Sequence, residues 1–319
     1  MGQLVDGIWR DDNFEASPAD GRFVRRAAQF RNWITADGGA GPSGDGGFRA
    51  EADRYHLYLS PACPWAHRTL IFRQLKGLAA MIGVSLVEPV VRDRGWQLAD
   101  RSGPVADAGY ASDIYLAADP SYTGRVTVPI LWDKQKATIV SNESSEIIRM
   151  FNAAFDDVGA RPGDYYPQSL RRDIDAINDL IYDQINNGVY KCGFAKSQEA
   201  YAEAFVALFD GLDAIDARLA ERRYLMGARI TEADWRLFTT LIRFDAVYVG
   251  HFKCNKQRIA DYAHLSGYLR DLYQQHGIAE TVHMDHIKSH YYGSHESLNP
   301  SRIIPLGPSL DLDRPHGRG

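Results

Sequence analysis

One break in the hydrophobic patterning limits what this chain can fold into. Before Arg161-Pro162-Gly163-Asp164, short period-two runs alternate with helical ones; after it only helical patterns follow. Arg54 to Ser60 carries Tyr55, Leu57 and Leu59 at period two and predicts a strand. Pro61-Ala62-Cys63 predicts a turn, and Pro64 to Leu78 a helix, since a proline at the first helical position lacks only an N–H that would be unpaired there. Ser85 to Val91 reads as a second, Val-rich strand, and residues 92–122 as loop-rich. Val126 to Trp132 and Thr138 to Val140 form a strand pair, followed by a helix over Ser144 to Phe155 that Ser141 or Asn142 would cap. The order is β-α-β, loop, β-β-α. Beyond the break come helices over Leu170 to Asn187, Glu199 to Ala220, Thr231 to Tyr248 and Leu265 to His276. Thr231 opens the third of them as a cap, with Asp234 reaching back and Ile230 stapling onto Trp235. The expected organisation is an extension over residues 1–50, an α/β domain over 51–160, an all-α domain over 161–295 and a proline-containing tail over 296–319. Within the extension, six of the eleven residues from Asp37 to Gly47 are glycine, which reads as a flexible loop, either a linker or a mobile lid.

Composition removes several function classes. The 319 residues carry 36 Lys and Arg against 41 Asp and Glu, a formal charge of −5 without a basic stripe, which argues against a nucleic-acid partner. The longest weakly polar run, Gly77 to Val87, falls far short of the roughly 20 residues that span a bilayer, so no membrane role is expected. The start shows no charged region followed by an apolar core, so a signal peptide is not expected. Met1-Gly2 resembles a myristoylation start, but Asp6 stands where Ser or Thr is needed. Three cysteines cannot all pair in disulfides, which points to a reducing, cytoplasmic compartment.

One of those cysteines carries the chemical argument. Cys63 follows a strand and precedes a helix start, where unpaired N–H groups and the helix dipole favour a thiolate, the nucleophilic form. The alternative is a small buried residue in a strand-to-helix turn. In Cys63-Pro64-Trp65-Ala66 the fourth residue is alanine, so no neighbouring thiol can resolve a disulfide formed at Cys63. A thiol from solution must do so, and glutathione is the abundant cytosolic candidate. Cys192 and Cys254 lack such a setting and read as structural.

The segment Ser60-Pro61-Ala62-Cys63-Pro64-Trp65-Ala66-His67-Arg68 resembles the active-site segment of the glutathionyl-hydroquinone reductases, the xi class of glutathione transferases. Arg125 to Asp133, Ser141 to Met150, Arg243 to Tyr248 and Ile278 to Tyr292 resemble the same family, in order along the chain. The turn cysteine and the Val-Pro pair alone would indicate only a thioredoxin-like fold. The resemblance implies a thioredoxin-like N-terminal domain, an all-α C-terminal domain and a homodimer. It also implies glutathione as co-substrate with no permanently bound cofactor. By the same resemblance Val128-Pro129 matches the cis-proline that offers the preceding backbone to the peptide of glutathione. Arg125, Val126, Thr127 and Val128 carry over as that peptide-binding segment, and Trp96 as a glutathione contact. Glu143 and Ser144 open a helix whose N–H groups suit the γ-glutamyl carboxylate, with Glu143 facing the amine; a plain first-turn charge is the other reading of Glu143.

The reaction that the resemblance implies is cleavage of an S-glutathionyl-hydroquinone. Cys63 attacks the glutathione sulfur, the hydroquinone leaves, and a second glutathione clears the mixed disulfide. A bare aryl anion is a poor leaving group, so the ring must pass through a keto form with a proton donor at hand, and a tyrosine fits. Spacing cannot choose among 17 tyrosines. Family position points to Tyr190 as proton donor and acceptor, with Tyr248 and Tyr291 as hydrogen-bond donors to the Cys63 thiolate. The alternative activity is that of an omega-like transferase reducing dehydroascorbate or mixed disulfides, and a non-catalytic scaffold is a third reading. His283, His286 and His290 fall at helical spacing, but no partner completes a metal motif and no metal is expected. His67, one turn beyond Cys63, reads as a base or as a packing residue.

Overall fold

The computed structural model describes residues 2–11 and 20–319; Met1 of the Met1-Gly2 start lies outside the described residues. The chain divides into two compact units. One comprises the described residues of Met1–Glu15, Ala27–Asp164 and Thr281–Ser294, and the other those of Ala16–Arg26, Tyr165–Glu280 and His295–Gly319.

The first unit opens with a hairpin of β1 (Gln3–Val5) and β2 (Ile8–Arg10). Its centre is a four-stranded mixed sheet. β3 (Tyr55–Leu59) leads into α1 (Pro64–Leu75) and β4 (Ile82–Leu86), then α2 (Ala111–Ala118), β5 (Ile130–Asp133), β6 (Thr138–Ser141) and α3 (Ser144–Ala153). The strand order is β4-β3-β5-β6, with β3 and β4 parallel and the other pairs antiparallel. Every residue of β3 is buried, as expected of a central strand covered on both faces.

The second strand lies three residues earlier than the valines suggested. Tyr55 pairs with Ile82 and Leu59 with Leu86, and Glu88 has already left the ladder to donate its N–H to Gln97 O at 2.8 Å. Pro89 has no N–H to continue a ladder. Likewise β5 starts only after Pro129, and the loop-rich stretch contains the helix α2. Arg54 and Asp133 brace the sheet with a buried ion pair, Nη2 to Oδ2 at 2.6 Å, and the same guanidinium donates to Gly47 O at 2.9 Å. The glycine-rich loop is hydrogen-bonded along its length. Trp33 Nε1 donates to Ser43 Oγ at 2.8 Å, Asp45 N to Asn32 Oδ1 at 2.8 Å, and Gly47 N to Gly38 O at 2.7 Å.

The second unit is helical. It runs through α4 (Arg171–Leu180), α5 (Gly188–Gly193), α6 (Gln198–Ala220), α7 (Glu232–Arg243) and α8 (Leu265–Tyr273). Two helices predicted as continuous instead widen into i→i+5 turns, at Ile181–Asn186 after α4 and at Phe244–Tyr248 after α7. The expected cap at Thr231 is present, with Asp234 completing the reciprocal pair. In the tail, the Arg318 guanidinium donates to the carbonyls of Leu219, Arg222 and Arg223 at 3.2, 2.6 and 2.9 Å, satisfying the C-terminal end of α6. The helix α9 (Met284–Ser294) belongs to the first unit. No helix among the described residues is long and apolar enough to cross a membrane.

Candidate active site

Cys63 is the N-cap residue of α1, with extended backbone and Pro64 as the first helical residue. Its N–H donates to Ser60 O at 3.1 Å and its carbonyl accepts from His67 N at 2.9 Å, so the turn and the first helical bond both fix it. The side chain is half-buried, and Sγ lies 3.5 Å from the Val128 carbonyl oxygen. A thiol held at a helix N-terminus with a path to solvent has the setting of a reactive cysteine, not of an inert core one. Cys192 and Cys254 are buried, and burial pushes the Cys254 thiol well above its ordinary range, which keeps it protonated.

The segment that faces Cys63 is held from beneath. The Val128–Pro129 peptide is cis. Just before it, Thr127 has both backbone groups engaged by one hydroxyl: Tyr115 Oη donates to Thr127 O at 3.0 Å and accepts from Thr127 N at 3.2 Å. Asn142 Nδ2 in turn donates to Tyr115 Oη at 2.8 Å, and burial pushes the Tyr115 phenol above its ordinary range. Thr127 is thus turned toward the protein while the Val128 carbonyl faces Cys63. Arg125 is half-buried and its carbonyl accepts from Tyr122 Oη at 3.2 Å; Val126 is buried. Sequence reasoning missed Tyr115, because α2 lies in the stretch read as loop.

Glu143, not Ser141 or Asn142, caps α3. Its carboxylate accepts from Ser145 N at 3.0 Å and Ser145 Oγ at 2.8 Å. Ser141 Oγ accepts from Glu143 N at 3.1 Å, and the Asn142 side chain is occupied with Phe30 N and Tyr115. Ser144 is buried as the first residue of α3. The half-buried Glu143 therefore has a structural duty beside any ligand it meets.

In the same unit, Trp96 is buried and stacks on His290, ring centroids 4.7 Å apart. His290 Nδ1 lies 3.0 Å from Pro89 O, and His286 Nε2 lies 3.4 Å from Ser60 Oγ, three residues before Cys63. Two of the three regularly spaced histidines are thus packed against the loops around Trp96 and Ser60. His67 is buried with Nε2 2.8 Å from Thr281 Oγ1, which favours the packing reading over the base. Tyr291, also on α9, is buried.

Tyr190 and Tyr248 sit in the second unit, in an aromatic cluster. Their ring centroids are 6.3 Å apart, and Phe252 lies 5.4 Å from each. Tyr190 is half-buried on α5 and Tyr248 fully buried at the end of the wide turn after α7. Gly193 lets Phe252 approach: a Cβ there would lie 2.3 Å from Phe252 Cδ1, a distance no real contact tolerates.

Two family models match the chain: the glutathione S-transferase N-terminal domain over residues 62–154 and the glutathione S-transferase C-terminal domain over residues 198–271. The glutathionyl-hydroquinone reductase YqjG of Escherichia coli K12 is 58% identical, over 100% of this chain and 98% of its own length. The chain belongs to the glutathionyl-hydroquinone reductases. The family member PcpF of Sphingobium chlorophenolicum is 54% identical over 98% of both chains. The glutathione-bound structure of YqjG superposes on this fold with a TM-score of 0.90 and 56% identity, covering 99% of each chain. The mixed sheet followed by helices is the glutathione transferase architecture expected from the sequence.

Proposed function

We propose that this protein reduces S-glutathionyl-hydroquinones to free hydroquinones at the expense of glutathione, with Cys63 as the nucleophile. The observation that carries the reading is the half-buried Cys63 at the N-terminus of α1, with Sγ 3.5 Å from the carbonyl that precedes a cis-proline.

The chemistry runs in two displacements. A proton delivered to the ring carbon that bears sulfur converts the hydroquinone to a keto form. The Cys63 thiolate then attacks the glutathionyl sulfur, and the electrons of the carbon–sulfur bond pass to the ring oxygen, which takes up a proton. A second glutathione attacks the mixed disulfide, releasing oxidised glutathione and the Cys63 thiolate. The sum is one thioether plus one glutathione giving one hydroquinone plus one disulfide. Tyr190 supplies the proton in this scheme. A phenol stays protonated at neutral pH, as a general acid must, and the half-buried ring supports the assignment. Tyr248 and Tyr291 donate to the thiolate, a role that rests on their match to the family's positions. Glutathione is held by the backbone of Val126 and Val128, by Glu143 and Ser144 at the start of α3, and by Trp96, with Arg125 and Thr127 framing the segment. The enzyme acts in the cytoplasm as a homodimer, on the strength of the family resemblance and the unpaired cysteine count.

The test is to supply glutathionyl-menadiol with excess glutathione. Free menadiol and oxidised glutathione should appear in equal amounts. Turnover of dehydroascorbate or of a small mixed disulfide, with the glutathionyl-hydroquinone left intact, would instead mark an omega-like thiol reductase.

A further inference from the structure

The segment before α1 contributes more than an extension to be packed. Within the second unit, the half-buried Arg25 guanidinium lies over the Tyr190 ring, its carbon 4.8 Å from the centroid. Arg25 Nε also donates to Asn187 Oδ1 at 2.7 Å, and Asn187 stands directly before α5, the helix that carries Tyr190. Phe23 completes the wall, stacked on Tyr190 and on Phe194 with centroids 6.2 and 5.7 Å apart. One arginine is thus fastened to the root of the helix and spread over the ring that the helix presents.

We propose that Arg25 is a positioning residue for Tyr190, which fixes the orientation of the phenol and favours the release of its proton. The inference rests on the assignment of Tyr190 as proton donor. Its physical basis is the quadrupole of the ring: a cation on the face lowers the energy of the electron-rich phenolate more than that of the phenol. The groups named next, all among the described residues, add no positive charge of their own to the ring. Lys191, next along α5, is turned to Asp183 Oδ1 at 2.5 Å. Tyr248 on the wide turn is a phenol, which carries no positive charge in either protonation state. His251 and His295 flank the cluster with Nε2 and Nδ1 3.1 Å apart, and burial holds His251 down at about 4, so it is neutral at working pH. Cys192 lies two residues along α5 and is buried.

The experiment compares pH–rate profiles of the full-length enzyme carrying Arg25→Gln, Arg25→Lys, Tyr190→Phe and the double change Arg25→Gln with Tyr190→Phe, using glutathionyl-menadiol. Arg25→Gln keeps a donor for Asn187 and removes the charge. It should lower kcat at pH 7 a few-fold with KM little changed, and move the alkaline limb up by about half a pH unit, the size of a half-exposed cation–π contact. Arg25→Lys should restore the limb. In the Tyr190→Phe background Arg25→Gln should have no further effect on the profile. An unmoved limb in Arg25→Gln, or a Lys variant that behaves like Gln, would overturn the proposal. So would an effect of Arg25→Gln that is as large in the Tyr190→Phe background as in the unaltered enzyme. A Tyr190→Phe enzyme that turns over at the full rate would instead remove the proton-donor assignment itself.

Discussion

At the scale of single residues the proposed chemistry turns on the Cys63 sulfur and the hydroxyls of Tyr190, Tyr248 and Tyr291. Position 66, where a resolving cysteine would stand, is alanine, and the Cys63 Sγ faces the Val128 carbonyl; in the proposed cycle an external thiol completes the chemistry. Cys63→Ala should lower turnover of a glutathionyl-hydroquinone by at least about a thousandfold, the usual loss when a nucleophile is deleted. Glutathione binding, measured by calorimetry, should change little, because the Val128 backbone and the start of α3 are untouched. Tyr248→Phe and Tyr291→Phe should each shift the pH profile of Cys63 alkylation upward, since each removes a donor assigned to the thiolate. A profile that stays in place for both would end that assignment. Tyr115 is a different kind of residue. Its one hydroxyl serves both backbone groups of Thr127, so Tyr115→Phe should weaken glutathione affinity without changing the alkylation profile.

At the scale of elements, the site is a consequence of how β3, α1 and the start of β5 are held. The buried pair of Arg54 and Asp133 joins the residue before β3 to the end of β5 and reaches the glycine-rich loop through Gly47 O. Asp133→Ala would leave the buried guanidinium with only the more exposed Glu51 carboxylate, 3.2 Å away, as counter-charge, and should cost about 3 kcal/mol in urea unfolding. An effect below about 1 kcal/mol would mean that solvent reaches the pair. The elements that the sequence reveals are those whose signals are local. The Tyr55-Leu57-Leu59 alternation, Pro64 at the first turn of α1, and the Thr231–Asp234 cap all announce themselves and are found in place. What stays hidden is set by distant partners. β4 is placed by its pairing with β3 and not by its valines, and α3 is capped by a glutamate that outcompetes two better cap formers already bonded elsewhere. The two i→i+5 turns leave no mark that a search at a period of 3.6 residues can register. Among the proposed site residues, placement alone leaves Cys63 open between a nucleophile and a small turn residue, and Tyr190, Tyr248 and Tyr291 are chosen from 17 tyrosines only by the family resemblance. Arg25 carries no signal in sequence at all, since nothing local ties it to a ring 165 positions away.

At the scale of the whole molecule, buried histidines make stability depend on pH. His56, bonded to Ser85 Oγ at 2.9 Å in the first unit, and His251 in the second are both held down at about 4 by burial. In the unfolded chain a histidine titrates near its ordinary value of about 6.5. Below that pH the unfolded state takes up protons that the folded state refuses, so stability is full above about 6.5 and declines as the pH falls toward 4. The Tm should therefore drop steadily across that window, and His56→Gln should make the slope shallower. A Tm that stays flat from pH 6.5 to 4.5 would show that both imidazoles accept protons in the folded protein. Because one of these histidines lies in each unit, the acid limb should destabilise both.

The claim that joins these scales is that Cys63 takes the glutathionyl group from the substrate. A single-turnover mixture of enzyme and glutathionyl-menadiol, with no free glutathione, tests it by intact mass followed by peptide mapping. One glutathionyl group per chain should appear, located on Cys63 and formed in step with free menadiol. Menadiol released without that adduct, or an adduct on Cys192 or Cys254, would contradict it.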